Sequence, residues 1–212
     1  EDGTVYQVDV VEGRVVERCA IERWSAGDRL AMSRDGRLLA VFRSFAGENR
    51  ALVFSLCPDQ PLLDLGRFPR LVEPIFAPDG TTLAVVRREA VELWDLQRGV
   101  VGRQIEGAGA DAGIMRFAPN GDQLITGSGE IWQIGDGKVG SLEASLGLFD
   151  VSPNGEVLVT NDGSLWDARD GRSLGRLEGV LETAVQIAFS PDGRSLLWMR
   201  PGGVVEIWQV VP

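Results

Sequence analysis

A four-residue turn signature that returns five times along the chain constrains its fold more than any other feature. Each copy ends in Asp-Gly or Asn-Gly, and four of the five have proline before the acidic or amide residue. The Asp and Asn positions lie 44, 41, 34 and 38 residues apart: Asp35, Asp79, Asn120, Asn154 and Asp192. An interval of about 40 residues is the length of a unit of four short strands.

The chemistry of the signature predicts a tight turn between two strands. Proline presets φ for the second turn position, Asp or Asn tolerates the third, and glycine supplies the left-handed position that closes a short hairpin loop. Short apolar runs flank the turns. One precedes the last turn at 185–189, and others follow the turns at 38–42, 83–86, 124–125, 157–159 and 196–199. These runs are typical of strands.

A third strand follows in each repeat and most often carries tryptophan. Trp94, Trp132, Trp166 and Trp208 lie 15, 12, 12 and 16 residues beyond their turn residues, and Phe54 takes this position in the first repeat. A fourth strand comes next, as at 100–106 and 173–178. Residues 4–13 align without gaps with residues 90–99, which predicts a further third-type strand at the start of the chain.

The tryptophan strands also carry a resemblance to a known family. Trp94-Asp95 and Trp166-Asp167 stand where WD repeats place their Trp-Asp pair, and Trp132-Gln133 and Trp208-Gln209 are weakened copies. Over residues 4–210 the chain resembles a degenerate WD-repeat protein, which implies an all-β fold, a β-propeller of four-stranded antiparallel blades. The family's Gly-His pair is absent because the chain has no histidine. Propellers with the same turn but no Trp-Asp pair remain an alternative.

We expect a single propeller domain over 1–212 with about five blades. Their expected ranges are 28–66, 72–106, 113–144, 147–179 and 184–212. Residues 4–19 either complete or precede a blade, and residues 14–19 fit the missing fourth strand of the last blade. Because this leaves one strand over, two arrangements stay open: a closed five-bladed ring, or part of a larger propeller, which for this family has seven blades. We favour the second.

The composition excludes several functions. A net charge of −10 disfavours nucleic acid as a partner, because phosphate contacts require a basic surface. No apolar run approaches the roughly 20 residues that span a bilayer, so we expect no membrane partner and a cytoplasmic location. The lack of histidine removes His-based triads and the common zinc sites. No phosphate or calcium loop is present, and Cys19 and Cys57 make no disulfide framework. We therefore expect no cofactor, no metal and no catalytic residues.

The candidate binding residues are arginines and aromatic residues, which are favoured anchors at protein interfaces. The resemblance implies that the loops between fourth and first strands, and between second and third strands, share one face that often binds partners. Arg50 lies in one of these predicted loops, and the candidates are Arg23, Trp24, Arg29, Arg43, Phe45, Arg67, Phe68, Arg70, Arg87, Arg88 and Arg200. An acidic peptide or protein would fit them. The alternative is an ordinary surface, since 20 of the 21 basic residues are arginines.

Two charged residues stand at one equivalent level of the first strand. Aligned on the residue before Phe189, this position is alanine or isoleucine in three repeats but Arg116 and Asp150 in the other two. An unpaired buried charge is costly. We therefore expect Arg116 and Asp150 to pair with each other or to face a wet central channel.

The resemblance implies a non-catalytic protein–protein interaction scaffold or sensor, as found in the C-terminal region of larger bacterial signalling proteins. An alternative is a periplasmic or secreted propeller enzyme, a hydrolase or lyase with a carboxylate site in its central channel. A third is self-association through open blade edges, because exposed strand edges readily pair.

Overall fold

Every regular element among the described residues is a β-strand. The computed structural model describes residues 4–9, 11–20, 28–45, 48–55, 62–69, 73–108, 113–142, 146–180 and 182–210. The strands are β1 Thr4–Asp9, β2 Arg14–Ala20, β3 Arg29–Met32, β4 Leu38–Phe45, β5 Glu48–Ser55, β6 Leu63–Phe68, β7 Ile75–Phe76, β8 Thr82–Arg87, β9 Ala90–Asp95, β10 Val100–Glu106, β11 Met115–Phe117, β12 Gln123–Thr126, β13 Glu130–Gln133, β14 Gly137–Ser141, β15 Phe149–Val151, β16 Val157–Thr160, β17 Ser164–Asp167, β18 Ser173–Arg176, β19 Gln186–Phe189, β20 Ser195–Met199 and β21 Val205–Gln209.

These strands form six antiparallel sheets in which neighbours in the chain are neighbours in the sheet. We number the large sheets in chain order: sheet 1 is β3–β6, sheet 2 is β7–β10, sheet 3 is β11–β14, sheet 4 is β15–β18 and sheet 5 is β19–β21. The sixth sheet is the pair β1–β2. Sheets 1 to 4 have four strands each, and sheet 5 has three. No helix in the described part of the chain is long and apolar enough to cross a membrane.

All five turn signatures join the first strand of a large sheet to the second. The glycine of each turn has a φ between 70° and 78° and donates its N–H to the carbonyl three residues earlier. In the last turn, Ser190 Oγ donates to Asp192 at 2.6 Å and accepts from the N–H of Ser195 at 2.9 Å. Ser33 and Ser152 make the same two contacts in their turns. The side chains thereby add two hydrogen bonds to the two that the backbone makes in each of these turns.

The acidic residue of each Trp-Asp pair caps the turn between the third and fourth strands. Asp95 Oδ1 accepts from the N–H groups of Gln97 and Arg98, both at 3.0 Å. Asp167 Oδ1 accepts from the N–H of Arg169 at 2.9 Å. A short carboxylate side chain can bond to the backbone two residues ahead. This local hydrogen bond stabilises the turn that leads into the fourth strand.

A bulge recurs where the third strand pairs with the fourth. The register shifts between Ala51 and Leu52 in sheet 1, between Ile131 and Trp132 in sheet 3, and between Leu165 and Trp166 in sheet 4. The pair β1–β2 has the same shift between Gln7 and Val8. By this pairing, β1 and β2 correspond to a third and a fourth strand.

Residues 4–19 were expected either to complete the fifth blade or to precede a blade. The structure pairs β2 with β1 in a separate sheet, and sheet 5 has three strands among the described residues. The hairpin is local, because Gly13 at φ 63° turns the chain directly from one strand to the next. Within the described residues, β1 and β2 pair with each other, and whether residues 4–19 complete or precede a blade stays a prediction.

The chain divides into two compact units. The first contains residues 1–88 and 92–104, and the second contains 89–91 and 105–212. In the first, Phe42, Phe68, Leu83 and Val85 belong to one buried cluster between sheets 1 and 2. In the second, one cluster joins sheets 3 and 4 and another joins sheets 4 and 5. The assignment of residues 1–212 to a single domain stays a prediction.

Candidate functional site

Sheet 1 brings three arginines into line across three neighbouring strands. Arg43 on β4 lies opposite Arg50 on β5, and Arg50 lies opposite Arg67 on β6. We call these three residues the arginine row. Like charges directly opposite each other destabilise a sheet, so the row requires compensation by acidic groups.

Each arginine of the row has its own carboxylate. Arg43 Nε lies 3.9 Å from Asp28 Oδ2, whose side chain is completely buried. Arg50 pairs with Asp64. Arg67 pairs with Glu48 at 2.9 Å. The exposed fraction of the arginine side chains rises along the row from 14% to 48% to 72%. The outer two guanidinium groups are thus within reach of a partner, whereas that of Arg43 is inside.

Arg87 links sheets 2 and 1. Its Nε donates to Glu92 at 3.0 Å, and its two terminal nitrogens donate to the carbonyls of Arg67 and Leu65 at 3.0 and 2.9 Å. The guanidinium also lies over the Phe68 ring. These bonds engage Arg87 within the first unit while its side chain stays 31% exposed, so its role toward a partner stays a prediction.

Phe68 is misplaced by the sequence argument. It is the last residue of β6, is 4% exposed, and packs against Phe42 with a ring-centre distance of 4.9 Å. The loops assigned to Arg43, Phe45 and Arg67 are strands as well, because β4 and β6 extend further than the apolar pattern indicated. A strand end with one face against a neighbouring sheet buries every second residue, which explains why Phe68 lies inside.

Glu92 was missed by the sequence analysis, although a signal for it exists. A glutamate stands two residues before tryptophan in three repeats: Glu92, Glu130 and Glu206. Glu92 accepts from the Trp94 indole at 3.0 Å as well as from Arg87. Glu130 and Glu206 instead pair with Lys138 and Arg200.

The indole N–H groups of Trp132, Trp166 and Trp208 are buried and have no hydrogen-bond partner among the residues that the structure describes. The bonded indole of Trp94 therefore contrasts with those of the other three repeats.

The remaining candidates divide into three groups. Arg29 and Arg88 are exposed, and neither guanidinium has an ion pair or hydrogen bond within the described residues. Arg88 has a φ of 58°. Arg200, in the second unit, pairs with Glu206 at 2.8 Å and lies 3.7 Å from Glu182. Three candidates lie outside the described residues: Arg23, Trp24 and Arg70. For Phe45 the structure describes the backbone and not the side chain.

Asp150 and Arg116 do not form a direct ion pair. Asp150 Oδ2 accepts from the backbone N–H of Phe189 at 2.7 Å, which joins the first strands of sheets 4 and 5. Arg116 donates to the carbonyl of Met115 at 2.9 Å. Burial raises the pKa of Asp150 above its usual value, while the Phe189 N–H and the charge of Arg116 oppose that rise. The expected direct pairing is wrong, because a backbone amide takes the carboxylate and Arg116 acts only at longer range.

No group of three or more Cys, Asp or Glu residues suited to a metal ion occurs in the part of the chain that the structure describes. The arginine row with its carboxylates is the surface on which a function can be argued. Its chemistry is that of anion and carboxylate recognition, since guanidinium groups bind carboxylates with two parallel hydrogen bonds.

The fold defines the class of protein. Successive four-stranded antiparallel sheets, each begun by the same turn, are the blades of a β-propeller, and the chain has this all-β fold. It is similar to a chain in the crystal structure of a mitotic checkpoint complex, with a TM-score of 0.70 and 18% sequence identity over 100% of this chain and 71% of that chain. At this identity the similarity shows the fold. No family model matches the sequence, and no curated protein matches it.

Proposed function

We propose that this chain is a non-catalytic protein-interaction module of the WD-repeat type that binds an acidic peptide or protein surface. The observation that supports it is the arginine row of sheet 1, in which Arg50 and Arg67 face solvent. Arg29 and Arg88 add exposed guanidinium groups in the same unit. Propellers host both binding and catalytic functions, so the fold by itself does not decide between them.

The energetics of the row suit exchange of one carboxylate for another. Ion pairs at the surface contribute only about 0 to 1 kcal/mol each. Arg50 and Arg67 can therefore leave Asp64 and Glu48 for carboxylates of a partner at little cost. Arg43 cannot, because its partner Asp28 is buried and separating a buried pair leaves a charge uncompensated.

The test uses a fluorescein-labelled hexaglutamate peptide and the 212-residue chain. The double variant Arg50→Gln and Arg67→Gln should weaken peptide binding at least tenfold, and added salt should weaken binding to the unchanged chain, because exposed charges are screened. Fluorescence anisotropy measures both effects. Hexalysine carrying the same label is the control peptide.

The matched control variant is Arg169→Gln. Arg169 is also an exposed arginine paired with a glutamate, Glu156 at 2.7 Å, but it lies in the second unit. It should leave the affinity for hexaglutamate unchanged. Equal loss of binding in the control and the double variant would mean that general charge, not the row, attracts the peptide, and the proposal would fail.

Three finer points belong to the same proposal. The module acts as a scaffold or sensor attached to a larger signalling protein, its partner is a protein and not nucleic acid or membrane, and it works in the cytoplasm. The net charge of −10 supports the exclusion of nucleic acid, since an acidic chain repels phosphates. The structural similarity to a chain of a mitotic checkpoint complex is consistent with protein partners.

The enzyme alternative depends on a carboxylate near the inner strands. Among the described residues, Asp150 has a carboxyl pKa that is raised by burial. A raised pKa is typical of a general acid. One of its oxygens, however, is occupied by the Phe189 N–H. Because this bond already engages the Asp150 carboxylate, we place binding ahead of catalysis.

A further inference from the structure

Two of the five turn signatures contain asparagine in place of aspartate, and both lie in the second unit. Asn120 is the third residue of the turn that joins β11 to β12, and Asn154 is the third residue of the turn that joins β15 to β16. Both asparagines are exposed. Because both turns have the local sequence Pro-Asn-Gly followed by an acidic residue, a difference in their reactivity comes mainly from the rest of the turn.

The residue two positions after the turn residue differs between the aspartate and the asparagine turns. The aspartate turns have arginine or threonine there, and the asparagine turns have a carboxylate. The pairs are Asp35 with Arg37, Asp79 with Thr81, Asp192 with Arg194, Asn120 with Asp122 and Asn154 with Glu156. The amide of Asn154 donates to Glu156 at 2.9 Å, and that of Asn120 donates to Asp122 at 3.3 Å. Aspartate in place of either asparagine would therefore set two carboxylates against each other.

Within the described residues, Asn154 accepts one more hydrogen bond than Asn120. The Oδ1 of each asparagine accepts from the backbone N–H two residues ahead, at 3.1 Å for Asn120 and 3.2 Å for Asn154. The Oδ1 of Asn154 also accepts from the Ser152 hydroxyl at 2.6 Å. Ala118 takes the place of this serine in the other turn and has no hydroxyl to donate. The side-chain amide of Asn120 is therefore less restrained.

Asparagine followed by glycine is open to attack by the glycine nitrogen on the side-chain amide. Asparagine is one of the thermolabile residues of proteins, and glycine leaves its backbone nitrogen unhindered because it has no Cβ. In this reaction the Gly121 nitrogen forms a bond to Asn120 Cγ, the Cγ–Nδ2 bond breaks, and ammonia leaves with the proton of the Gly121 N–H. Water then opens the cyclic imide at either of its carbonyl carbons, which gives aspartate or isoaspartate.

Both turns hold the attacking nitrogen in a backbone hydrogen bond. The Gly121 N–H donates to the carbonyl three residues earlier at 2.9 Å, and the Gly155 N–H makes the same bond at 2.8 Å. Attack requires this bond to open in either turn, so it slows both reactions alike. The side chains make the difference, because Asn154 has to leave the Ser152 hydroxyl as well before its amide can turn toward the nitrogen.

We propose that Asn120 is a site of spontaneous deamidation in the folded chain and that Ser152 protects Asn154 from the same reaction. The rate at Asn120 should exceed that at Asn154 about fivefold, the factor that corresponds to one hydrogen bond of about 1 kcal/mol.

Deamidation of Asn120 weakens its turn. Aspartate puts a second carboxylate beside Asp122, and isoaspartate also lengthens the backbone by a methylene group. The turn lies next to that of sheet 4, since a Cβ on Gly155 would lie 3.5 Å from Pro119 Cδ. The modification therefore reduces the stability of sheet 3 and disturbs its contact with sheet 4.

The experiment incubates the 212-residue chain at mildly alkaline pH and follows both turns by mass spectrometry. Trypsin places the turns in separate peptides, 117–138 and 139–169, and fragmentation locates the modified asparagine. Asn120 should be converted faster than Asn154 in the folded chain. In urea, where the turns are open, both should react at similar rates because their local sequences match. Methylation by an isoaspartate-specific methyltransferase identifies the isoaspartate product.

Two reciprocal variants test the role of the serine. Ser152→Ala should speed the reaction at Asn154, and Ala118→Ser should slow the reaction at Asn120, each about fivefold. The control is Ser173→Ala at an exposed strand position, which should leave both rates unchanged. Far-ultraviolet circular dichroism verifies that the variants fold. If Ser152→Ala does not fold, Ala118→Ser alone decides the question, because serine already occupies this place in three of the five turns.

A further pair of variants tests the effect of the product on stability. Asn120→Asp should lower the melting temperature by setting a carboxylate against Asp122. The double variant Asn120→Asp and Asp122→Arg should recover it, because it has the combination found at Asp192 and Arg194. A single variant as stable as the parent would contradict the expected weakening of the turn.

Three results would overturn the proposal. One is conversion of Asn154 as fast as that of Asn120 in the folded chain. Another is no conversion of Asn120 over a time in which the unfolded chain is converted. The third is a difference between the two sites that persists in urea, because the sequence and not the turn would then be its cause. None of these results bears on the arginine row, which lies in the first unit and is tested by peptide binding.

Discussion

The guanidinium carbon of Arg87 lies 4.3 Å from the centre of the Phe68 ring. This contact joins the second strand of sheet 2 to the fourth strand of sheet 1. Glu92 holds the guanidinium from one side, and two carbonyls of β6 accept from the other. In a chain without histidine, Arg87 provides a polar link between sheets that also involves the third-strand tryptophan, through Glu92 and Trp94.

Replacing Arg87 with methionine should destabilise the chain by about 2 kcal/mol. Hydrogen bonds to charged groups contribute about 1.5 to 3 kcal/mol, and the buried Glu92 would lose its cation. Urea unfolding followed by tryptophan fluorescence measures the loss. The neighbouring exposed residue provides the control, since Arg88→Met should remain within about 0.5 kcal/mol of the parent. Equal stability of the two variants would contradict the role of Arg87.

Two glycines at equivalent places in their fourth strands should respond differently to alanine. A Cβ on Gly140 would lie 2.6 Å from the backbone carbonyl oxygen of Asp170, whereas one on Gly102 would find its nearest atom at 3.6 Å. Gly140→Ala should therefore cost about 1 to 3 kcal/mol through overpacking, and Gly102→Ala should cost much less. Thermal unfolding of both variants measures the difference. Similar melting temperatures would contradict this prediction and would mean that the backbone at Asp170 moves to make room for the added methyl group.

The serine of the last turn should contribute measurably to stability. Ser190→Ala removes the bond to Asp192 and leaves the Ser195 N–H without its acceptor. Loss of two hydrogen bonds at a partly buried turn should cost about 1 to 2 kcal/mol. Chemical unfolding measures this cost, and Ser173→Ala, at an exposed strand position, is the control. The variant should also bring the pKa of Asp192 up toward its usual value, because the Ser190 hydroxyl is the largest cause of its lowering.

The pH dependence of stability should contain one contribution that falls with rising pH. Burial raises the pKa of Asp150 above 3.8, so the folded state binds a proton more tightly than the unfolded state. Stability from this group is fully present below pH 3.8 and is lost as pH rises through the folded pKa. Asp150→Asn should remove this decline while keeping an oxygen for the Phe189 N–H. Unfolding at several pH values measures it, and an unchanged profile would contradict it.

Four turn and loop carboxyls should act in the opposite direction. Hydrogen bonds from serine or threonine hydroxyls and from backbone N–H groups lower their pKa values below 3.8, so their stability is present above that pH and is lost as pH falls through the lowered values. They are Asp35, Asp79, Asp162 and Asp192. Comparing Asp192→Asn with Asp150→Asn in acid separates the two signs, since only the first should reduce the acid sensitivity.

Much of the fold follows from local sequence. The turn signature lies between first and second strands in every large sheet, and the tryptophans lie on third strands, as the spacing predicts. Such features can be predicted because turn chemistry and the two-residue period of a strand act over a few residues. For the binding candidates, the sequence predicted the kinds of residue, arginine and aromatic, but not which of them are exposed. The sequence does not show that Phe68 lies inside, where a second sheet packs over it, or that Arg87 bonds to the carbonyls of β6 while part of its side chain stays exposed.

The sequence by itself therefore determined the repeat, the turns, the order of strands and the four-stranded antiparallel unit. Tertiary structure decided two things. It selected which arginines face solvent, and it aligned Arg43, Arg50 and Arg67 in one register. The physical reason is that burial and register depend on strands distant in sequence, whereas turn and strand preferences belong to the residues themselves.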